Sequence, residues 1–180
     1  MRVTIGAGNS NNIDEIYITE SEKLTDYLAS MGCDLNWGSG SQSIMKVCYN
    51  SFAKYNRKIY GYVTPRYFFE MKNLPKAKHQ KFKDTFILKS HMFYDGDLYV
   101  ALPGGLGTIS ELIAFIEEVR SNYAKIPIVI YNINHHFDST LALFDDLKKR
   151  GFSTVSDFKF IIVIDNLNDF KKYFESNFCV

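Results

Sequence analysis

The chain has 180 residues, of which 46% are hydrophobic, 16% aromatic and 23% charged, the balance of a globular domain and not of a disordered or fibrous chain. Lys and Arg number 21 against 20 Asp and Glu, and a net charge of +1 is too small for the broad positive field that nonspecific nucleic-acid binding needs, so an anionic ligand must be gripped locally. No stretch reaches the roughly 18 apolar residues of a membrane span, and the Gly6-punctuated start is too short in its apolar part for a secretory signal.

In chain order, β-rich runs alternate with helix-length amphipathic ones. Strands are expected at Arg2–Ile5, Cys33–Trp37, Lys58–Val63, Leu98–Leu102, Ile126–Tyr131 and Phe160–Ile164, several of them apolar throughout, as strands covered on both faces are. Helices are expected at Ile13–Met31, Ser43–Tyr55, Thr85–Tyr94, Thr108–Tyr123, Phe137–Arg150 and Asn168–Asn177. Between Val63 and Thr85 the pattern gives a loop at Thr64-Pro65-Arg66 and a mobile basic segment over Lys72–Lys83. No linker, repeat or charge block marks a boundary, so residues 1–180 are expected to form a single domain. Alternation of this kind predicts a three-layer α/β sandwich with a mainly parallel sheet, whose ligands bind beyond the carboxyl ends of the strands.

Three glycine loops follow predicted strands. Gly6-Ala7-Gly8-Asn9-Ser10 begins like a dinucleotide fingerprint but has Asn11 in place of a third glycine, so a tight turn explains it equally well. Gly38-Ser39-Gly40-Ser41-Gln42-Ser43-Ile44-Met45 lets backbone approach a ligand at a helix start, and a plain connector is its alternative. Pro103-Gly104-Gly105-Leu106-Gly107-Thr108-Ile109-Ser110-Glu111 is the sharpest signal, because glycines at the positive end of a helix make a phosphate cradle of backbone amides. Thr108 and Glu111 also fit a capping box, which would give Glu111 a purely structural task; otherwise its carboxylate lies beside a bound phosphate sugar, placed to stabilise an oxocarbenium ion or activate water.

That nine-residue string resembles the P-G-G-x-G-T-x-x-E signature of the LOG ("lonely guy") family, once labelled lysine decarboxylase-like, and Gly38 to Met45 resembles its G-G-G-S-x-G-L-M loop with Ser39 and Ser43 replacing glycines. The resemblance implies a Rossmann-like fold, a homodimer, no cofactor, and hydrolysis of the N-glycosidic bond of a nucleoside 5'-monophosphate to free base and ribose 5-phosphate. Carried over, Gly104, Gly105, Gly107 and Thr108 hold the phosphate, with Gly8, Ser10, Gly38, Gly40, Ser41 and Pro103 around the nucleotide, and Glu111 is the catalytic carboxylate. The family's M-H-x-R-K helix motif is not kept: a gapless alignment sets Thr85, Phe86, Leu88 and Lys89 on Met, His, Arg and Lys, and a one-residue gap sets Lys89 on the arginine. Lys89 is then either a solvated helix residue or a catalytic point charge turned inward, with Arg66 or Arg120 as other replacements; lysine does not copy a bidentate fork, and a nucleotide-binding module without catalysis is the alternative function.

Other candidates carry less. His135-His136 has no partner at metal-ligand spacing, so no metal is expected. The cysteines Cys33, Cys48 and Cys179 lack a paired spacing, which fits reduced thiols in a cytoplasmic protein. Tyr60, Tyr62, Tyr67, Phe68 and Phe69 flank the expected site, where a ring could stack on a base or simply pack.

Overall fold

The computed structural model describes residues 1–121, 123 and 125–179. Its strands are β1 (Arg2–Gly6), β2 (Asp34–Trp37), β3 (Ile59–Val63), β4 (Ala77–Lys81), β5 (Leu98–Ala101), β6 (Ile128–Tyr131) and β7 (Ile161–Ile164). Its helices are α1 (Glu15–Ser30), α2 (Ser43–Lys54), α3 (Thr85–Tyr94), α4 (Leu106–Arg120), α5 (Asp138–Lys149) and α6 (Leu167–Phe178). The strands form one seven-stranded sheet in the order β4-β3-β2-β1-β5-β6-β7 with every pairing parallel. This is the expected three-layer α/β architecture. The predicted end of the fourth helix takes in Asn122, which lies outside the described residues.

The alternation of side chains across the sheet divides the core. Val3, Ile5, Leu35, Trp37 and Val100 point to one layer, packed by α1, α2 and α6 through Leu24, Leu28, Phe52 and Phe170. Tyr99, Ala101, Ile128 and Ile130 point to the other, packed by α3, α4 and α5 through Met92, Phe93, Leu112, Phe115 and Phe144. All of these are buried, which is why the strand sequences are apolar on both faces.

One stretch corrects the sequence reading. Instead of a loop and a mobile basic segment, Pro65–Asn73 forms 3-10 helical turns and Ala77–Lys81 forms β4, a parallel edge strand in register Ile59↔Ala77 to Val63↔Lys81. Only Ala77 and His79 of β4 are partly buried, and the exposed Lys78 and Lys81 guard an unpaired edge against further strand addition. Such a strand is held by backbone pairing and carries no apolar alternation to announce it.

The two serines that replace glycines in the second loop both adopt left-handed backbone, φ 58° at Ser39 and φ 51° at Ser43. That conformation costs a residue with a Cβ about 1–2 kcal/mol. Ser39 recovers part of this through a 3.3 Å hydrogen bond with His79 Nδ1, whereas the buried Ser43 hydroxyl has no partner. Ser43→Gly should therefore stabilise the protein by about 1 kcal/mol, raising Tm by about 2–4 °C in a thermal melt, with Ser39→Gly gaining less.

Candidate active site

The strand order reverses between β1 and β5, and at the carboxyl ends of these two strands a cleft of about 890 Å³ opens. Its floor is built where the three glycine loops interlock. The Gly8 amide donates to the Pro103 carbonyl at 2.9 Å, the Met45 amide to the Gly8 carbonyl at 3.2 Å, and the Gln42 amide to Asn9 Oδ1 at 2.9 Å. Close approach explains some of the glycines: a Cβ on Gly8 would press on the Pro103 carbonyl at 3.1 Å, and one on Gly104 would collide with the Thr108 hydroxyl.

Gly105 and Gly107 are different. A Cβ at either would meet nothing within 4 Å, and neither has a positive φ, so the fold itself does not demand glycine there. Gly105 caps α4 and Leu106, Gly107 and Thr108 are its first residues, so helix geometry leaves their amides without intrahelical acceptors. The helix therefore begins two residues before Thr108, and no side chain caps it; the capping box anticipated for Thr108 and Glu111 does not form. Starting earlier places Glu111 in the second turn, four residues after Gly107 and on the same face.

Glu111 lines the cleft, half-buried by exposed surface, with its carboxylate against the backbone of Gly6. Loss of water around the group pushes its pKa up to about 7, an effect the nearby Lys89 ammonium opposes. Lys89 is half-exposed on the cleft side of α3: with Thr85 and Leu88 it lines the cleft, and its Nζ donates to Ser110 Oγ at 2.5 Å. The two sequence alignments thus set either Leu88 or Lys89, both cleft residues, on the family arginine. Arg120 lies elsewhere, bonded to Glu117 at 2.7 and 2.9 Å, and Arg66 stacks near Tyr67 on the cleft rim without lining it. Among the described lining residues Lys89 is the one lysine or arginine.

Gly8, Ser10, Gly38, Gly40, Pro103, Gly104, Gly105, Gly107 and Thr108 all line the cleft as well. Ser41 stands behind the wall, its hydroxyl donating at 2.7 Å to Glu70, a second cleft carboxylate. Sequence reasoning missed Glu70 and His136. His136 follows β6 by a few residues and sets Nε2 2.9 Å from the carbonyl and 3.1 Å from the amide nitrogen of Gly104. Its place shortly after a strand is a usable signal in the sequence. Of the five aromatic residues expected to flank the site, Tyr62 and Tyr67 line the cleft, joined by Tyr17 of α1.

Comparison with known proteins bears on the family and the fold. The family profile described as "Possible lysine decarboxylase" matches residues 45–174. Probable cytokinin riboside 5'-monophosphate phosphoribohydrolase LOGL2 of Oryza sativa subsp. japonica is 25% identical over 155 residues, 84% of this chain and 62% of that protein. Cytokinin riboside 5'-monophosphate phosphoribohydrolase LOG3 of Arabidopsis thaliana is 25% identical over 155 residues, covering 84% of this chain and 71% of its own. Among solved structures, the molybdenum cofactor binding protein of Rippkaea orientalis superposes with a TM-score of 0.71 at 15% identity, over 97% of this chain and 95% of that one. The Moco carrier protein of Chlamydomonas reinhardtii gives 0.70 at 12% identity, again over 97% and 95%; at such identities these two report on the fold alone. With a family profile spanning most of its length and the P-G-G-x-G-T-x-x-E string set at the switch point of its sheet, the chain belongs to the LOG family, the group that profile describes.

Proposed function

We propose that the protein hydrolyses the N-glycosidic bond of a nucleoside 5'-monophosphate of the AMP type, releasing free base and ribose 5-phosphate. The observation that carries this reading is the pairing on one helix face of open, glycine-lined amides with a desolvated carboxyl: a phosphate at Gly105–Thr108 sets the attached ribose beside Glu111. The bond from C1' to the base nitrogen breaks and a bond from C1' to a water oxygen forms. Glu111 as carboxylate offsets the positive charge that grows on the sugar and accepts a proton from the water, while the departing base nitrogen takes up a proton. Lys89 supplies a point charge on the same wall.

The naming of curated relatives as phosphoribohydrolases supports the same chemistry. A homodimer in the cytosol completes the proposal. Phe86 and Ile87 on α3 and Leu106 and Ile113 on α4 are exposed apolar side chains on the two helices that line the cleft, surface that a second copy would cover, and the three cysteines are unpaired. No described helix is long and apolar enough to cross a membrane.

The reading is tested by incubating the purified protein with AMP, following adenine by chromatography and measuring binding by calorimetry. Saturable adenine release is the expected result. That no arginine stands among the described lining residues favours one alternative, a nucleotide-binding module, which predicts saturable binding without adenine. Absence of both binding and release rejects the two together.

A further inference from the structure

Tyr99 is the second residue of β5, fully buried and edge-on to Phe115 at 4.6 Å between ring centroids. Its hydroxyl has no hydrogen-bond partner. A buried donor left this way costs about 1–3 kcal/mol, and a phenylalanine would fill the same space without it. Packing therefore accounts for the ring and not for the oxygen.

What the hydroxyl adjoins is the carboxylate of Glu111. A Cβ built on Gly6 would collide with Tyr99 Oη and would lie 2.8 Å from Glu111 Oε2, so both oxygens converge on the space that Gly6 leaves empty. Among the described residues two titratable groups bear on Glu111, Lys89 from α3 and Tyr99 from β5, and Gly6 of β1 presents no side chain there. Lys89 is already engaged with Ser110, on the cleft side. Tyr99 approaches from the sheet side.

We infer that Tyr99 is a positioning residue for Glu111: the two oxygens face one space without a hydrogen bond between them in this structure, and the hydroxyl stands on the sheet side to donate to the carboxylate once it ionises, leaving the other carboxylate oxygen toward the cleft. Burial and the neighbouring carboxylate drive the Tyr99 phenol well above its ordinary value, so it keeps its proton and acts only as a donor. Gly6 is the residue that permits the arrangement, since any side chain there would part the two oxygens. This inference rests on the proposed hydrolysis for its kinetic consequence, though not for its effect on the carboxyl itself.

The decisive measurement is the titration of the Glu111 carboxyl by 13C NMR in the ligand-free protein, wild type against Tyr99→Phe, with Glu111→Gln to assign the signal. A donor to the charged form lowers a carboxyl pKa, so its removal should raise the midpoint by about one pH unit. An unchanged midpoint overturns the inference. In the base-release assay, Tyr99→Phe should lower kcat at pH 7 by about 5- to 10-fold with KM nearly unchanged, and the deficit should shrink as pH rises above the new midpoint. A deficit equal at all pH values indicates a structural effect and also counts against it. Should Tyr99→Phe fail to fold, site-specific 3-fluorotyrosine at position 99, a stronger donor, is expected to shift the midpoint downward. If the wild type releases no base, the hydrolase reading fails while the NMR titration still decides the role of Tyr99.

Discussion

Glu111→Gln is expected to yield an inactive protein that is more stable than the wild type at alkaline pH. Base release should fall by about 10²–10⁴-fold, the usual contribution of a positioned proton-transfer group, because an amide neither accepts the water proton nor opposes charge on the sugar. The stability effect follows from the raised carboxyl. Folding brings Glu111 from an ordinary 4.5 up to about 7, so the folded state binds the proton more tightly than the unfolded state. The resulting stability is fully present below pH 4.5 and is lost as pH rises through 7, because the ionised carboxylate must then be held in a poorly solvated site. Glutamine avoids that penalty, on the order of 2 kcal/mol at pH 8 after allowance for partial exposure to the cleft. Thermal melts should therefore show Glu111→Gln above wild type at pH 8 and level with it at pH 4. For the wild type, base release should rise through about pH 7 and flatten above it, as a carboxylate base requires.

Gly107→Ala should separate stability from binding in the same way. Gly107 lies in the first turn of α4, where alanine is the better helix former by as much as about 1 kcal/mol, and its new methyl would meet nothing within 4 Å beyond its own stretch of helix. On folding grounds the substitution is favourable. If a phosphate docks on the amides of this turn, the methyl stands in its approach, and AMP affinity should weaken about tenfold or more, which is 1.4 kcal/mol. Calorimetry with AMP beside a thermal melt checks both halves. Affinity unchanged in a stabilised variant would remove the phosphate from this turn.

How much of this was legible in the sequence depends on which physical term shapes each element. Central strands such as Leu98–Ala101 and Ile128–Tyr131 are buried on both faces, so hydrophobic burial writes them into the composition. The loop from Pro103 to Glu111 was legible through its three glycines, of which Gly104 is required by close packing within the fold, whereas Gly105 and Gly107 leave open space beside the amides of the helix start. β4 was hidden because main-chain pairing with β3 holds it, and Ala77-Lys78-His79-Gln80-Lys81 carries almost no apolar signal. Thr108 with Glu111 shows a local rule overridden: the capping-box spacing is present, yet the helix starts two residues earlier, at Leu106. Lys89, Tyr99 and His136 owe their significance to neighbours far away in the chain, which one-dimensional spacing does not encode.

The pairing of β1 directly with β5, through Val3↔Leu98 to Gly6↔Ala101, also has a kinetic meaning. The two walls of the cleft come from segments separated by more than half the chain, so the ligand cradle is a product of non-local closure, which is the slow and entropically costly part of folding. During synthesis, a ribosome-bound chain that has not yet emitted Ala101 holds β1 with one edge bare. It can offer that edge to another nascent chain before the cleft between β1 and β5 exists.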